Sequence, residues 1–213
     1  MARYFGISDA PQGVPRYNVT PGTSVHILQA DAQGGPRLCT CHWGYRPPGA
    51  GEDAPRPINA RAEKVATSPY FREAFADHRC LVPADGWFEW RSTPQGRQLY
   101  YITLGDPGEA EILFLAGIHA PGVGKEDGAC AVITEPARGS LSQIHPRQPL
   151  ALDPHCLQAW LDPGIRDRPT LRAQIRPLDP GRLVIRPVDP RVNRPGEEGP
   201  DLIQERRRES SAS

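Results

Sequence analysis

The chain of 213 residues has one methionine and only two lysines, and it contains no long hydrophobic run. No stretch approaches the roughly 18 consecutive apolar residues that a membrane-spanning helix needs. The first ten residues, MARYFGISDA, also lack the apolar segment of a secretory signal peptide. We therefore expect a cytoplasmic protein whose five cysteines are free thiols.

The hydrophobic content of 38% is modest, yet it is enough for one packed core in a chain of this length. We expect a single domain over residues 1–204. The remaining residues, 205–213, are charged and polar, which predicts a disordered basic tail.

Arginine supplies nearly all of the basic residues: of the 25, 23 are arginine and the other two are Lys64 and Lys125. The planar guanidinium group binds phosphate and carboxylate oxygens in pairs, so an arginine-rich groove holds a polyanion even when the net charge is zero. The same composition is typical of a GC-rich genome, and composition alone favours that plainer explanation.

Proline and glycine are abundant, with 25 and 21 residues, and they divide the chain into short elements. Six apolar segments have the composition of strands. They are SVHILQ (24–29), RLCTCHW (37–43), LYYITL (99–104), ILFLAGI (112–118), ACAVIT (129–134) and LVIRPV (183–188). The turn residues between them predict an α+β protein with a mainly antiparallel sheet, curled like a barrel, and a few short helices.

Two helix starts are indicated by a capping residue followed by proline. Ser68 precedes Pro69 and the segment YFREAFAD, and Asp153 precedes Pro154 and the segment HCLQAWL. Residues 162–181 are rich in arginine, proline and aspartate, which predicts a loop or an insertion.

The segment ADGWFEW (84–90) places Glu89 in a stretch that otherwise has the composition of a buried strand. Burying an unpaired carboxylate is costly, so such a residue is usually paired, protonated or used in chemistry. Glu89 is therefore the first candidate functional residue.

Three other segments contain polar residues that a purely structural explanation does not account for. They are RYNVTPG (16–22) with Asn18, INARAEK (58–64) with Asn59 and Arg61, and IHPRQPL (144–150) with His145 and Arg147. If the last two segments are extended, the residues of each pair lie on one face.

Taken together, these segments and Glu89 supply an amide, a guanidinium, a carboxylate and an imidazole, which suits general acid and base chemistry on an anionic substrate. Plainer roles remain open for each residue. In these roles, Asn59 would cap a turn, Arg61 would pair with Glu63 or Glu89, and His145 would be a hydrogen-bonded core histidine.

The order and spacing of these four motifs, followed by PVDPRVN…GPDLIQ (187–204), resemble the SOS response-associated peptidase (SRAP) family over residues 3–204. These proteins process abasic sites in single-stranded DNA. The resemblance implies that the partner is single-stranded DNA with abasic sites, or a junction of single- and double-stranded DNA, bound by a monomer without a metal or other cofactor.

Residue roles also follow from the resemblance. Glu89 matches the acid/base carboxylate near the N-terminal amine, His145 the acid that helps to open the sugar, and Asn59 the residue that positions the N-terminus. Arg61 matches a phosphate clamp, Pro21, Tyr70 and Trp90 match positions that wedge against bases, and Trp43 with Gly44 matches a strand end near the DNA. The implied DNA-binding set is Arg61, Arg3, Asn18, Pro21, Trp43, Tyr70, Trp90 and Arg147.

The N-terminus departs from the family pattern. Family members capture the abasic-site aldehyde as a thiazolidine with an N-terminal cysteine, whereas here Met1 aligns with that cysteine and Ala2 with the following glycine. The α-amine of Met1 or of Ala2 is left to form a Schiff base, because its pKa near 8 leaves a neutral fraction at physiological pH. Lys64 and Lys125 are the only other amines.

Other functions remain as alternatives. Loss of the cysteine favours a binding module without catalysis, and the family name implies a peptidase that removes its own first residue. Cys39, Cys41 and His42, with His78 and Cys80, lack the usual zinc-ligand spacing and fit core packing better. A protease built from Ser140 or Ser142 with His145 has no supporting nucleophile-elbow motif.

Overall fold

A computed structural model of the protein describes residues 2–7, 14–94, 96–105, 111–122, 128–194 and 196–206. These residues form ten strands and four α-helices, joined by loops and short 3-10 helices. The strands are β1 Ser24–Ala30, β2 Pro36–Trp43, β3 Asn59–Arg61, β4 Arg79–Ala84, β5 Gly86–Thr93, β6 Gly96–Leu104, β7 Leu113–Ala120, β8 Gly128–Pro136, β9 Arg147–Pro149 and β10 Leu183–Val188. The helices are α1 Ala2–Phe5, α2 Arg72–Asp77, α3 Leu157–Leu161 and α4 Arg168–Gln174.

The larger sheet has the strand order β2-β1-β4-β7-β8-β3, with β9 also paired to β8. It curls so far that β2 pairs with β8 as well as with β1. The pairings of β8 with β2 and with β3 are parallel, and the others in this sheet are antiparallel. The predicted α+β class with a curled, mainly antiparallel sheet is confirmed, although β3 and β9 extend beyond the ring and prevent a clean barrel.

A smaller antiparallel sheet has the order β10-β6-β5 and contains the DGWFEW segment in β5. Strand β5 begins at Gly86 because the backbone of β6 approaches closely there. A Cβ atom at residue 86 would lie 2.4 Å from the carbonyl oxygen of Ile102, so only glycine fits without a shift of the sheet.

Each edge of β8 pairs with two strands in succession. Along one edge β2 ends with Trp43 opposite Cys130, and β3 continues with Asn59 opposite Val132. Along the other edge β7 is followed by β9, in which Arg147 lies opposite Pro136. The predicted polar motifs of β3 and β9 therefore lie on the two sides of a single strand.

All six predicted strands are present, and their predicted ends lie within three residues of the observed ones. Strand β4 was not predicted, because its sequence RCLVPA has no alternation and includes a proline. Residues 79–82 are all buried, so the apolar run of residues 80–82 reflects a fully covered strand rather than a half-exposed one.

Two helix predictions need correction. The helix predicted to begin after Ser68 begins instead at Arg72, because Ser68 closes a preceding turn in which its Oγ accepts from the Tyr70 amide at 3.3 Å. The segment 162–181, predicted as a loop, contains α4, which is capped by the Asp167 side chain accepting from the Thr170 amide at 2.9 Å. The start at Asp153 is confirmed, although the first turn that follows is a 3-10 turn leading into α3.

The interior contains three hydrophobic clusters. The largest packs β3, β4, β7, β8 and the helices around Phe114 and Trp160, and the third lies beneath the smaller sheet. The second lies between the two sheets and includes buried Cys41, Cys80 and Cys130 with Cys39 against it. Burial raises the pKa of the Cys80 thiol, which suits cysteines that pack as small apolar residues. None of the helices described is long and apolar enough to cross a membrane.

Arg79 connects α2, α3 and β4 from inside the protein. Only 5% of the residue is exposed, and its guanidinium donates to the carbonyl oxygens of Trp160 at 2.7 Å and Asp162 at 2.6 Å. It also donates to Phe75 at 2.9 Å and Ala76 at 3.0 Å. These four bonds end α2 and attach α3 to the sheet.

Substituting Arg79 by methionine tests this connection. The apolar chain fills the space but leaves four carbonyl groups without their donor, so we expect the free energy of unfolding to fall by about 3 kcal/mol. Urea titration followed by tryptophan fluorescence measures the change. Arg72→Met, on the exposed face of α2, is the matched control and should change stability by no more than about 0.5 kcal/mol; equal effects of the two substitutions would contradict the assignment.

Candidate functional site

Glu89 and His145 meet where the two sheets face each other. Glu89 lies in β5 of the smaller sheet, and His145 lies in the loop before β9 of the larger sheet. The Nδ1 atom of His145 is 3.7 Å from Oε2 of Glu89. A carboxylate and an imidazole separated by 56 residues in the sequence are therefore neighbours.

Strand alternation explains how Glu89 is placed between two aromatic residues. Phe88 and Trp90 pack on the cluster beneath the smaller sheet, whereas Trp87 packs on the cluster between the sheets. Glu89 lies on the same strand face as Trp87. It is thus directed away from its aromatic neighbours and towards the larger sheet.

The Glu89 side chain retains 22% of its exposure. Its Oε1 accepts from the amide of Trp90 at 3.1 Å. Burial raises the pKa of Glu89, while the backbone bond and the nearby His145 and Arg97 act in the opposite direction. The net upward shift increases the protonated fraction of the carboxyl group near neutral pH, as general acid and base chemistry requires.

The His145 ring is held by the backbone of Arg147. Its Nδ1 lies 2.9 Å from the Arg147 carbonyl oxygen and 3.2 Å from the Arg147 amide nitrogen. A protonated Nδ1 donates to the carbonyl oxygen and also faces Glu89, whereas an unprotonated Nδ1 accepts from the amide. With Nδ1 protonated, the lone pair of the neutral ring is on Nε2, which can then exchange a proton with a substrate.

The side chain of Arg147 is fully engaged within the protein. It donates to both carboxylate oxygens of Glu63, each at 3.0 Å, and to the hydroxyl and carbonyl oxygens of Thr134 at 3.2 Å and 2.6 Å. This bond from Arg147 lowers the pKa of Glu63. Glu63 makes its hydrogen-bonded ion pair with Arg147, and the nearby charge of Arg61 also helps to lower the Glu63 pKa.

Asn59 and Arg61 are exposed on one face of β3, with Ala60 buried between them, as the alternation predicts. Among the residues that the structure describes, neither side chain has a hydrogen-bond or ion-pair partner. Arg61 therefore presents an exposed guanidinium near Glu63, with which it interacts through charge alone. The predicted roles of Asn59 and Arg61 remain predictions.

The Pro21 turn and Trp43 lie together at the end of β2. Gly22 donates its amide to the Trp43 carbonyl at 2.9 Å, and the indole of Trp43 donates to the Ile58 carbonyl at 2.9 Å. Ile58 immediately precedes Asn59. Pro21 is exposed and Trp43 is half-buried, so both are next to the polar face of β3.

Tyr70 is half-buried and stacks edge to face on Tyr45 and Phe71, at 5.9 and 5.3 Å between ring centroids. Its hydroxyl donates to the carbonyl of Pro55. These contacts fix the loop that leads into β3. A wedge role for Tyr70 stays a prediction.

Trp90 and Asn18 are both engaged inside the protein. The guanidinium of Arg97 lies 4.9 Å from the centroid of the Trp90 ring, a cation–π contact. The Asn18 amide donates to the carbonyls of Val192 at 2.9 Å and Glu197 at 3.2 Å. Asn18 thus anchors the Pro21 turn to the C-terminal segment, and its predicted contact with DNA is untested.

The start of the chain packs near these motifs. Tyr4 and Phe5 of α1 contact Phe114 edge to face, at 5.1 and 5.6 Å between ring centroids. The cluster that they cover also contains Ala60 of β3 and Leu150, which follows β9. Met1 and the side chains of Ala2 and Arg3, three predicted site residues, lie outside the described part of the chain.

The described residues contain no group of three histidine, cysteine, aspartate or glutamate side chains arranged to hold a metal ion. Ser142 donates to the carbonyl of Gly139 at 2.7 Å in a 3-10 helix, which commits its hydroxyl to that turn. Sequence reasoning missed the pairing of Arg147 with Glu63 and Thr134. The only signal was that Glu63 continues the period-two pattern of Asn59 and Arg61, which does not identify a partner.

The chain is similar to known proteins along most of its length. A family model described as SOS response associated peptidase (SRAP) matches residues 1–195. The chain is 32% identical to the abasic site processing protein YedK of Escherichia coli over 197 residues, which cover 91% of this chain and 86% of that one. It is 30% identical to the abasic site processing protein YoqW of Bacillus subtilis over 196 residues, with 89% and 86% coverage.

The fold is also found among solved structures. A crystal structure of a protein from Bacteroides thetaiotaomicron superposes with a TM-score of 0.75 at 23% identity, covering 87% of this chain and 82% of that chain. This is a likeness of fold. Together with the family match along 195 of the 213 residues, it confirms the resemblance that the four ordered motifs indicate. The chain belongs to the SOS response associated peptidase (SRAP) family.

Proposed function

We propose that this protein processes abasic sites in single-stranded DNA, or at junctions of single- and double-stranded DNA, and that an N-terminal amine replaces the thiol chemistry of the family. The observation that carries the proposal is the 3.7 Å approach of Glu89 to His145 across the two sheets. Its relatives YedK and YoqW are abasic site processing proteins.

The proposed reaction begins with the open-chain aldehyde of the abasic sugar. The neutral α-amine adds to C1′, and loss of water gives a protonated Schiff base. Removal of a proton from C2′ then expels the phosphate at C3′, because the electron pair of the C–H bond forms a new double bond. Glu89 suits the proton transfers beside the amine, since burial raises its pKa. The imidazolium form of His145, with a proton on both nitrogens, suits protonation of the ring oxygen by Nε2 during sugar opening, and this transfer leaves the neutral ring protonated on Nδ1.

The DNA path is proposed to run over the end of β2 and the polar face of β3, which pair one after the other with the same edge of β8. Trp43 and Pro21 offer apolar surface at one end, and the exposed Arg61 offers a phosphate ligand at the other. Aromatic faces combined with arginine along the backbone are the usual means of binding single strands. Tyr70 and Trp90 are proposed to contact bases, although both pack partly against the protein.

A binding module without catalysis is the second candidate. It is favoured by one observation, which is that Met1 occupies the position of the family's cysteine. Such a module would recognise the abasic site with the same surface but would form no bond to it. Self-processing as a peptidase is less well supported, because the residue that the family exposes by this cleavage is absent here.

Borohydride trapping separates the two candidates. The Lys64→Arg, Lys125→Arg double variant retains the α-amine as its only amine. We expect this variant to be trapped on a single-stranded oligonucleotide with one abasic site as efficiently as the wild type. Acylation of the variant should abolish trapping, because it blocks the only remaining amine. Intact mass then shows whether Met1 or Ala2 carries the adduct.

Two outcomes would contradict the amine proposal. Loss of trapping in the double variant would assign the chemistry to a lysine, and no adduct on any substrate would leave only binding. A tetrahydrofuran abasic analogue, which has no aldehyde, is the matched control substrate and should give no adduct.

Binding to DNA tests Arg61. Because each phosphate contact releases counterions, Arg61→Ala should weaken affinity for single-stranded DNA and reduce the slope of log affinity against log salt by about 0.7. Arg37→Ala is the matched control: Arg37 is also exposed, but it lies at the opposite end of β2 from Trp43. Fluorescence anisotropy at several salt concentrations gives both slopes. Identical slopes for the two variants would remove Arg61 from the DNA path.

The stability of a Glu89→Gln variant tests the environment of Glu89. A pKa raised above its ordinary 4.5 in the folded state means that the folded protein binds this proton more tightly than the unfolded chain does. Wild-type stability therefore falls as pH rises from about 4.5 through the raised pKa, where the buried group becomes charged. We expect Glu89→Gln to unfold at higher urea concentration than the wild type at pH 8, and the gap to narrow at pH 4. A gap independent of pH would show that Glu89 is not shifted upward.

A further inference from the structure

Glu63 has no part in the proposed chemistry, yet it makes a symmetric, two-bond ion pair with Arg147 near the site. Its side chain is 46% exposed, and both of its oxygens accept from Arg147 at 3.0 Å. Exposed ion pairs are usually weak, but a bidentate pair with fixed geometry is the exception. The bidentate geometry of this exposed pair raises the question of which part of the structure it holds in place.

The pair spans β8. Thr134 of β8 has Arg61 of β3 on one side and Pro149 of β9 on the other. Arg147 reaches from the β9 side across Thr134, contacts both oxygens of that residue, and ends on Glu63 just beyond β3. The guanidinium is therefore fixed by four oxygen atoms, two from Thr134 of β8 and two from Glu63 in the turn after β3.

The backbone of the same arginine holds the catalytic imidazole. Nδ1 of His145 is within hydrogen-bonding distance of the carbonyl oxygen and the amide nitrogen of Arg147, and these two contacts require opposite protonation of Nδ1. The shorter contact, at 2.9 Å, is to the carbonyl oxygen. A small rotation of the Arg147 backbone would exchange one contact for the other and change which nitrogen faces the substrate.

We propose that Glu63 is a positioning residue that acts through Arg147 to hold His145 in the tautomer with Nδ1 protonated and with the ring beside Glu89. This rests on the proposed function, in which Nε2 of His145 exchanges a proton with the sugar. Without Glu63, Arg147 retains Thr134 but loses its anchor beyond β3, so the His145 loop loosens.

The charge of Glu63 gives this role a distinctive signature. Removing the carboxylate leaves both Arg147 and Arg61 without its compensating charge, which adds net positive charge next to the DNA path. DNA binding should therefore be unchanged or tighter, while the proton transfers that depend on His145 become slower. A DNA-binding residue, or a residue needed for folding, would weaken binding and chemistry together.

The first experiment uses the protein without DNA. Nitrogen-15 NMR of the neutral His145 ring, assigned by comparison with His145→Gln, reports which nitrogen carries the proton. We expect mainly the Nδ1-protonated form in the wild type and a mixture of both forms in Glu63→Ala. An unchanged tautomer ratio in Glu63→Ala would overturn the positioning role. Because the readout needs no substrate, it remains decisive even if the wild type fails to process abasic DNA.

The second experiment separates binding from chemistry. Glu63→Ala should slow single-turnover strand cleavage at an abasic site about tenfold, with a dissociation constant no weaker than that of the wild type. Glu63→Gln, which keeps one acceptor oxygen, should recover part of the rate. Glu111→Ala is the matched control, since it removes a carboxylate that pairs with Arg182 at 3.2 Å on another part of the protein; its rate should equal that of the wild type.

A double variant tests the route through Arg147. If Glu63 acts only through Arg147, then Glu63→Ala combined with Arg147→Ala should be no slower than Arg147→Ala alone. Additive losses would overturn the route, and so would a wild-type rate in Glu63→Ala. If the wild type itself cleaves no abasic DNA, the proposed function has failed, and the NMR comparison alone decides the role of Glu63.

Discussion

Strand β8 is the constraint on which the site depends, because both of its edges are hydrogen-bonded to strands that succeed each other. The end of β2 and the start of β3 share one edge, which brings Trp43 and Asn59 together despite the loop between them. The other edge passes from β7 to β9 and thereby places Arg147 across from β3. Any change in the register of β8 would move all of these groups relative to one another, since each residue is fixed by its ladder partner.

The two carboxylates of the site, Glu89 and Glu63, lie in different environments, which shift their pKa values in opposite directions. Glu89 is partly buried against a neighbouring imidazole and has a raised pKa, whereas Glu63 is exposed and has a lowered pKa because Arg147 binds it. The two carboxylates thus differ in protonation tendency, which suits one for proton transfer and the other for holding a cation. Of the two arginines beside them, Arg147 is bound to Glu63 and Thr134, whereas Arg61 makes no hydrogen bond or ion pair to a described residue and acts on Glu63 only through its charge.

Membership in the SRAP family and the absence of the family's N-terminal cysteine are both properties of this chain. The helix α1, through Tyr4 and Phe5, packs on the cluster beneath β3 and β9. The described start of the chain therefore lies near the strands that carry Asn59 and Arg147. Within this chain, the Pro21 turn and Trp43 are tied to the start of β3, because Gly22 donates to the Trp43 carbonyl and the Trp43 indole donates to Ile58.

The sequence by itself determined the strands with alternating or wholly apolar composition, the shared face of Asn59 and Arg61, and the conflict posed by Glu89 in an apolar segment. These are local properties, since alternation and capping depend on residues only a few positions apart. The start of α2, the helix within 162–181 and strand β4 were missed, because burial by distant segments overrides local preference. Only the tertiary structure decided that Glu63 pairs with Arg147, and that His145 meets Glu89. Both contacts join residues more than 50 positions apart, and their geometry is set by the ladders of β8 and by the packing of the two sheets.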